Sequence, residues 1–426
     1  MQTDIDALLS RLYHPDLKII DPGLERVEAF LNLIGSPHNR LPPVIHVAGT
    51  NGKGSLIVYL HAIFEAAGYR VHRYVSPHLV RFNERIVIAG KPIDDTYLRY
   101  LLETILGYVE KQPVTFFEAT TAAAFLAFSE HPADVVLLET GMGGRLDATN
   151  VIDTPLLTAI TPIGFDHCDF LGHTIAEIAG EKAGIIKRGV PCVVGRQEND
   201  AANVIAQKAQ SLNAPLYRLG SEWQVEQGKY QSAISTLSFH PALAGPHQYD
   251  NAATAIACID NLTGFSIADT HIKNGIEHTV WPARLQHLTS GHYVDILPKG
   301  IELWLDGGHN PHGAKALSQW FSAHRIKEVH LICGMVRGKD TGEFLRILAP
   351  NVTKLYAIAI PGEPLSQSAG DIEQSAVSAG IVAVNAGTIE KALQSIAAHA
   401  KTPAIVCICG SLYLAGKVLA GNEGVV

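Results

Sequence analysis

Short apolar runs separated by longer stretches of helical spacing set the rhythm of this chain. Val44–Ala48, Val71–Val75, Val135–Leu138, Leu156–Ile160 and Pro191–Val194 are runs rich in aliphatic residues. They read as strands buried on both faces, and the helical patterns between them, such as Leu56–Ala67, read as crossovers of a parallel sheet. A second series, Glu302–Leu305, Val329–Cys333, Leu355–Ile360 and Ala404–Cys409, reads as a smaller α/β unit. Between the two, Ala252–Asp260 is a helix of small residues, and Trp281-Pro282-Ala283-Arg284 breaks the pattern before Gly291. The boundary is therefore expected between residues 285 and 297, dividing the chain into 1–288 and 289–426. The predicted fold class is α/β: a P-loop-type, mostly parallel sheet domain followed by a smaller Rossmann-like α/β domain. A Gly/Pro-marked joint between such units suits either a cleft that opens and closes or a rigid interface.

Polar residues recur where these strands end. Ser76 follows one, Glu139 ends another, Asp166 and His167 lie beyond a third, Asp306 ends a strand of the second series, and Ser411 follows its last. Ligands of open parallel sheets sit outside the carboxyl ends of the strands, so these residues are expected to converge on one crevice. The strand Val44–Ala48 runs into Gly49-Thr50-Asn51-Gly52-Lys53-Gly54-Ser55 and then into a helical pattern. Such a turn presents backbone N–H groups at a positive helix end, with Lys53 placed to bridge phosphate oxygens. The general Walker pattern is imperfect here, because Val47 and Gly54 stand where it asks for Gly and for Ser or Thr. A tight turn that binds nothing is the alternative, and three glycines around a lysine favour phosphate.

A carboxylate at the end of an apolar strand is costly to bury without a cation, so Glu139 with Ser76 suits Mg²⁺. His167 reads either as a loop histidine or as a softer ligand, with the former favoured by sequence alone. Lys182, in Ala179-Gly180-Glu181-Lys182-Ala183-Gly184, reads on spacing as a solvated helix lysine. Phe116 and Phe117 beside Glu118 read as core, or as a platform for a flat heterocycle with ring N–H donors.

Composition narrows the partners. Lys+Arg of 33 against Asp+Glu of 41 gives a net charge of −8, which argues against a broad grip on nucleic acid or an anionic membrane. No apolar run reaches the roughly 18 residues of a membrane span. The amino-terminal pattern MQTDIDALLSRL is amphipathic rather than a signal peptide. The six cysteines, at 168, 192, 258, 333, 407 and 409, form no CxxC pair, so reduced thiols in a cytoplasmic protein are expected.

Several blocks together resemble the folylpolyglutamate synthase family, related to the Mur peptide ligases, in its bacterial form that also makes dihydrofolate. They are Ile20 to Val27, GTNGKGS from Gly49, Ser76-Pro77-His78-Leu79, Gly141 to Asn150, Asp166-His167, the run from Leu171 to Pro191, Asn251 to Thr254, Asp306 to Pro311 and Gly410-Ser411. The resemblance implies that Thr50, Asn51, Gly52, Lys53, Gly54 and Ser55 hold the ATP phosphates. Asn251, Arg284 and Asp306 contact ATP from the far wall. It implies two Mg²⁺ ions held by Ser76, Glu139, His167 and a carbamylated Lys182. The pteroate group is placed against Asp21, Pro22, Thr115, Phe116, Phe117, Glu118, Leu146, Asp147 and Ala148, and L-glutamate against His309 and Ser411. Lys53, Lys182, His309 and Arg284 are the expected catalytic set.

The implied reaction transfers the ATP γ-phosphoryl group to a carboxylate of dihydropteroate or a reduced folate, and the glutamate amine then attacks the acyl phosphate. The expected enzyme is a monomer that works on small molecules alone. A cell-wall Mur ligase would carry an additional domain ahead of the loop, which here begins after 48 residues. A nucleotide-gated switch would have no use for so broad a site.

Overall fold

The computed structural model describes residues 2–13, 23–324 and 328–424. Their contacts form two compact units. The first holds residues 1–163, 168–241 and 249–279; the second holds 164–167, 242–248 and 280–426. The chain thus enters the second unit twice in short segments before staying there.

Among the described residues of the first unit, eight strands make one sheet: β1 (Val44–Ala48), β2 (Val71–Tyr74), β3 (Ile86–Ile88), β4 (Lys91–Pro92), β5 (Val135–Glu139), β6 (Leu157–Ile160), β7 (Cys192–Val194) and β8 (Leu216–Arg218), in the order β4-β3-β2-β5-β1-β6-β7-β8. The five strands read from the sequence are neighbours at its centre and run parallel. β3 and β4 extend the sheet antiparallel, and β8 closes the other edge. Central strands are buried on both faces and so appear as continuous apolar runs. The outermost strands are short, and β4, Lys91 and Pro92, is exposed, an edge position that tolerates proline.

A three-stranded antiparallel sheet, β9 (Trp223–Glu226), β10 (Lys229–Ser232) and β11 (Thr236–Ser238), was not expected. Asp260 ties it down, accepting from Tyr230 and Ser232 at 2.8 Å each and from Ser235 at 2.8 Å. A carboxylate meeting three hydroxyls fixes a sheet too small to hold itself.

The second unit carries a six-stranded sheet among its described residues: β12 (Gln286–Leu288), β13 (Ile301–Leu305), β14 (Glu328–Cys333), β15 (Lys354–Ile358), β16 (Ala383–Gly387) and β17 (Ala404–Cys409), ordered β12-β13-β17-β14-β15-β16. The four expected strands again form the parallel centre, while β12 is antiparallel and β16 is a half-exposed edge. Cys333, Cys407 and Cys409 are buried in its core.

The first sheet reverses its winding where β1 lies between β5 and β6, which is where a ligand crevice forms in such sheets. Pairing of Val47 with Glu139 sets the end of β5 beside the end of β1. The apolar register beneath is what keeps those ends aligned. Leu137, fully buried and paired with Ile45 and Arg73, is one of its central contacts. Replacing Leu137 by Ala is expected to cost about 2–5 kcal/mol of unfolding free energy in urea titration.

Candidate functional site

The residues after β1 form a cradle at a helix start. Gly52, at φ +88°, precedes the helix Lys53–Ala66, whose first turn-closing bond runs from the Leu56 amide to the Gly52 carbonyl at 2.8 Å. The amides of Lys53 to Ser55 therefore head the helix before its internal ladder begins, at its positive end. Thr50 and Asn51 donate their amides to the Pro162 carbonyl at 3.0 and 3.3 Å, which pins the loop to the end of β6. A side chain at Gly52 would meet Asn251 Oδ1 at 2.6 Å, so Asn251 lies directly against the loop.

Charged groups gather on one oxygen of this loop. The Gly49 carbonyl accepts from Lys53 Nζ at 3.1 Å and from Lys182 Nζ at 3.0 Å. Glu139, 5% exposed, has Lys53 Nζ 3.8 Å away and accepts the Ser76 amide at 3.3 Å. Lys182 is only 4% exposed, which corrects the solvated reading that its helical spacing suggested. It is the last residue of the helix Ile175–Lys182, and the close fit of that helix end, described next, turns it inward.

Glycines let the 141–148 loop approach the same helix end. A Cβ on Gly144 would lie 2.9 Å from the carbonyl oxygens of both Glu181 and Lys182, and one on Gly184 would strike the Arg145 backbone. The Arg145 amide donates to the Glu181 carbonyl at 2.7 Å. On the loop's other side the Phe117 ring lies against Gly141. Asp147, buried, accepts the Met142 amide at 2.9 Å and the Thr149 amide and hydroxyl at 3.0 and 2.5 Å. Burial raises its pKa, and those three donors work to lower it. Ala148 is buried and Leu146 half-buried.

Phe116 and Phe117 are half-buried and pack on the core of the first unit. Thr115 and Glu118 form a capping box for their helix, with the Thr115 amide donating to Glu118 at 2.7 Å. Glu118 also takes a forked pair from Arg26, at 2.9 and 3.0 Å. The sequence reading assigned Arg26 no function. Its signal is a lone arginine beside the expected pteroate residues Asp21 and Pro22, which lie outside the described residues.

In the second unit, Asp306 follows β13 and accepts the amides of Leu285 and Gly308 at 2.8 and 2.7 Å. Burial raises its pKa, opposed by the charge of Arg284 and by these amides. Residues 280–288 cluster with this unit, so Arg284 and Asp306 share it. His309 Nδ1 lies 2.9 Å from the Gly307 carbonyl, and its Nε2 is 3.5 Å from Asp166. Lys339 Nζ sits 2.5 Å from Asp166, and Asn310 donates to the same carboxylate at 3.2 Å. Burial would raise the pKa of Asp166, but the hydrogen bond and charge of His309, with the charges of Lys339 and His167, hold it well below the usual carboxylate range. Lys339 was missed; the one available signal was a Gly-Lys-Asp, Gly338 to Asp340, in the loop that follows β14. His167 is exposed at φ +51° and belongs to this unit, whereas Ser76 and Glu139 belong to the first. Ser411 is buried and caps the helix Leu412–Asn422 by accepting the Tyr413 amide at 3.1 Å. The Gly410 amide bonds the Gly308 carbonyl at 2.9 Å, so Ser411 emerges beside the His309 loop.

A phosphate cradle, two lysines and a buried carboxylate on one sheet, with a second α/β unit behind it in sequence, define a nucleotide-dependent ligase. The Mur ligase middle domain matches residues 47–259, and the Mur ligase glutamate ligase domain matches residues 292–412. A dihydrofolate synthase/folylpolyglutamate synthase of Bacillus subtilis is 38% identical over 342 residues, covering 74% of this chain and 77% of that protein. The Escherichia coli FolC structure in complex with DHPP and ADP is 31% identical, with a TM-score of 0.84 over 97% of this chain and 96% of that one. A bifunctional folylpolyglutamate synthase/dihydrofolate synthase with Mn, AMPPNP and L-glutamate bound is 32% identical, with a TM-score of 0.84 over 98% and 97%. The chain belongs to the dihydrofolate synthase/folylpolyglutamate synthase family of ATP-dependent ligases.

Two predictions follow from this packing and charge. Gly144→Ala would press a methyl group onto two backbone oxygens that cannot yield, and is expected to cost about 1–3 kcal/mol in chemical denaturation. His46 and His78 are held neutral, chiefly by burial, with pKa values lowered from 6.5 to about 3 and about 4. The unfolded chain takes up protons that the folded one refuses, so their contribution is complete above pH 6.5 and is lost as the pH falls toward 4 and 3. Unfolding free energy measured from pH 7 downward should therefore fall, and fall less steeply in the double variant His46→Gln, His78→Gln.

Proposed function

We propose that this chain joins L-glutamate to dihydropteroate, forming dihydrofolate, and to reduced folates, forming polyglutamates, with ATP hydrolysed to ADP and phosphate. The observation that carries the reading is the meeting of Lys53 and Lys182 on the Gly49 carbonyl at the head of a helix, with Glu139 3.8 Å from Lys53. Amide formation from a free carboxylate is uphill in water, so the carboxylate is first phosphorylated by the ATP γ-phosphoryl group. The glutamate amine then attacks the acyl carbon and phosphate leaves.

The helix-head amides and the residues Thr50 to Ser55 hold the triphosphate, and Lys53 offsets charge as the γ-phosphoryl group moves. Asn251 borders the loop, while Arg284 and Asp306 serve ATP from the second unit. Glu139 is a hard oxygen donor beside the cradle, already shielded from water, which fits a divalent cation such as Mg²⁺. Ser76, Glu139, His167 and a carbamylated Lys182 would hold two such ions, which when bound neutralise phosphate charge and polarise the transferring group. Lys182, 4% exposed, stands on the same carbonyl as Lys53, beside the cradle where such an ion would serve. The pteroyl group takes Thr115 to Glu118 and Leu146 to Ala148 as its walls, with Asp21 and Pro22, and glutamate takes His309 and Ser411. Of the division expected at 288, residues up to 279 supply phosphate and pteroate binding, and 280–288 join 289–426 in serving ATP and glutamate. We assign the enzyme to the cytoplasm as a monomer acting on small molecules, apart from nucleic acid and membrane; no helix among the described residues is long and apolar enough to cross a membrane.

Coupled measurement of ADP release tests the reading directly. Turnover is expected only with ATP, glutamate and a pteroyl acceptor together, for dihydropteroate and for a reduced folate offered separately. Lys53→Ala is expected to lower it at least about 10²-fold with unchanged circular dichroism. Equal ATP hydrolysis without acceptor would overturn the assignment. Intact-mass analysis in bicarbonate, with Lys182→Ala as control, reads the carbamate.

A further inference from the structure

His46 occupies an unusual place. It lies in β1 at the centre of the first sheet, fully buried, paired with Leu138 on one side and Thr158 on the other. An aliphatic residue would fill that position at less cost, because a buried imidazole must find partners for two nitrogens. Here only one is served. Among the described residues Nδ1 has no hydrogen-bond partner, and Nε2 lies 2.8 Å from the Thr149 hydroxyl oxygen.

The direction of that bond is fixed by what the hydroxyl does next. Thr149 spends its single proton on Asp147 Oδ1, at 2.5 Å, so its oxygen can only accept from the imidazole. His46 is therefore the donor, through Nε2–H, in its neutral form. A hydroxyl that accepts one bond donates a stronger one, so the imidazole sharpens the grip of Thr149 on the carboxylate. Asp147 meanwhile accepts the amides of Thr149 and Met142, which makes it the post around which the 141–151 loop is folded.

We infer that His46 is a positioning residue for the pteroyl acceptor: through the Thr149 hydroxyl it aims and stabilises the Asp147 carboxylate that receives the ring N–H donors of the pterin. The inference rests on the proposed placement of the pteroyl group against Asp147. It adds a division of labour within β1, whose carboxyl end carries the phosphate loop while its interior sets the acceptor loop. The two substrates are thereby referred to one rigid strand.

His46→Leu fills the same space without a donor and relieves the half-satisfied imidazole. It is expected to keep or raise the melting temperature, to leave KM for ATP and glutamate unchanged, and to raise KM for dihydropteroate about tenfold, the scale of one buried hydrogen bond. The acidic limb of kcat/KM for the acceptor should move to higher pH, because a weaker donor leaves the carboxylate easier to protonate. His46→Gln, which places an N–H near the same point, should restore the acceptor KM. Thr149→Val should reproduce the His46→Leu effect, and the double variant should be no worse than either alone. A lowered melting temperature with all three KM values disturbed together would make His46 merely structural and overturn the inference, as would an unchanged acceptor KM in His46→Leu. Asp147→Asn separates the layers: if it raises the acceptor KM while His46→Leu does not, the relay alone is wrong, and if it too leaves that KM unchanged, the underlying placement fails with it.

Discussion

Two lysine side chains share one carbonyl oxygen at Gly49, and much of the first unit is arranged to make that possible. The Glu139 carboxylate lies 3.8 Å from Lys53, so the charge of that lysine is partly met within the protein. Such a site suits added negative charge. A polyphosphate delivers it, and the helix head adds the amides that a phosphate needs. The pairing of Val47 with Glu139, the pinning of the loop to Pro162 and the inward turn of Lys182 are all conditions for holding these groups in place before the nucleotide arrives.

How far the sequence reveals this depends on whether a position is dictated by local or by distant neighbours. The parallel centres of both sheets were legible because a strand covered on both faces must be apolar throughout. The edges, β4, β8, β12 and β16, carry no such demand and left no pattern, and β3, though Ile-Val-Ile, is only three residues long. The antiparallel β9–β11 was hidden for a related reason: its anchor, Asp260, lies well beyond it in sequence. The phosphate loop and Glu139 were readable from strand ends. Lys182 was not, since its burial is decided by Gly144 and Gly184, which are separated in sequence and bring two backbones together.

Polar groups buried in the second unit follow a different logic. Asp306 is satisfied by backbone amides on either side and by the charge of Arg284, so it organises a turn as much as it presents a carboxylate. Asp166 draws Lys339, Asn310 and His309 onto itself. A carboxylate that gathers several donors fixes their directions, and His309 and Asn310 owe their orientation partly to it. Lys339 escaped notice because a lysine declares its role only through the partner it reaches.

Residues 164–167 belong to the second unit although both their flanks belong to the first. The consequence concerns how the chain can be divided. No single cut yields two whole units: a fragment starting at 280 would possess Lys339 but not the carboxylate it grips, and a fragment ending at 279 would carry that carboxylate with nothing to grip it. Autonomy in contacts is thus not autonomy in covalent structure, and the two halves of this ligase must be inherited, synthesised and recombined as one piece.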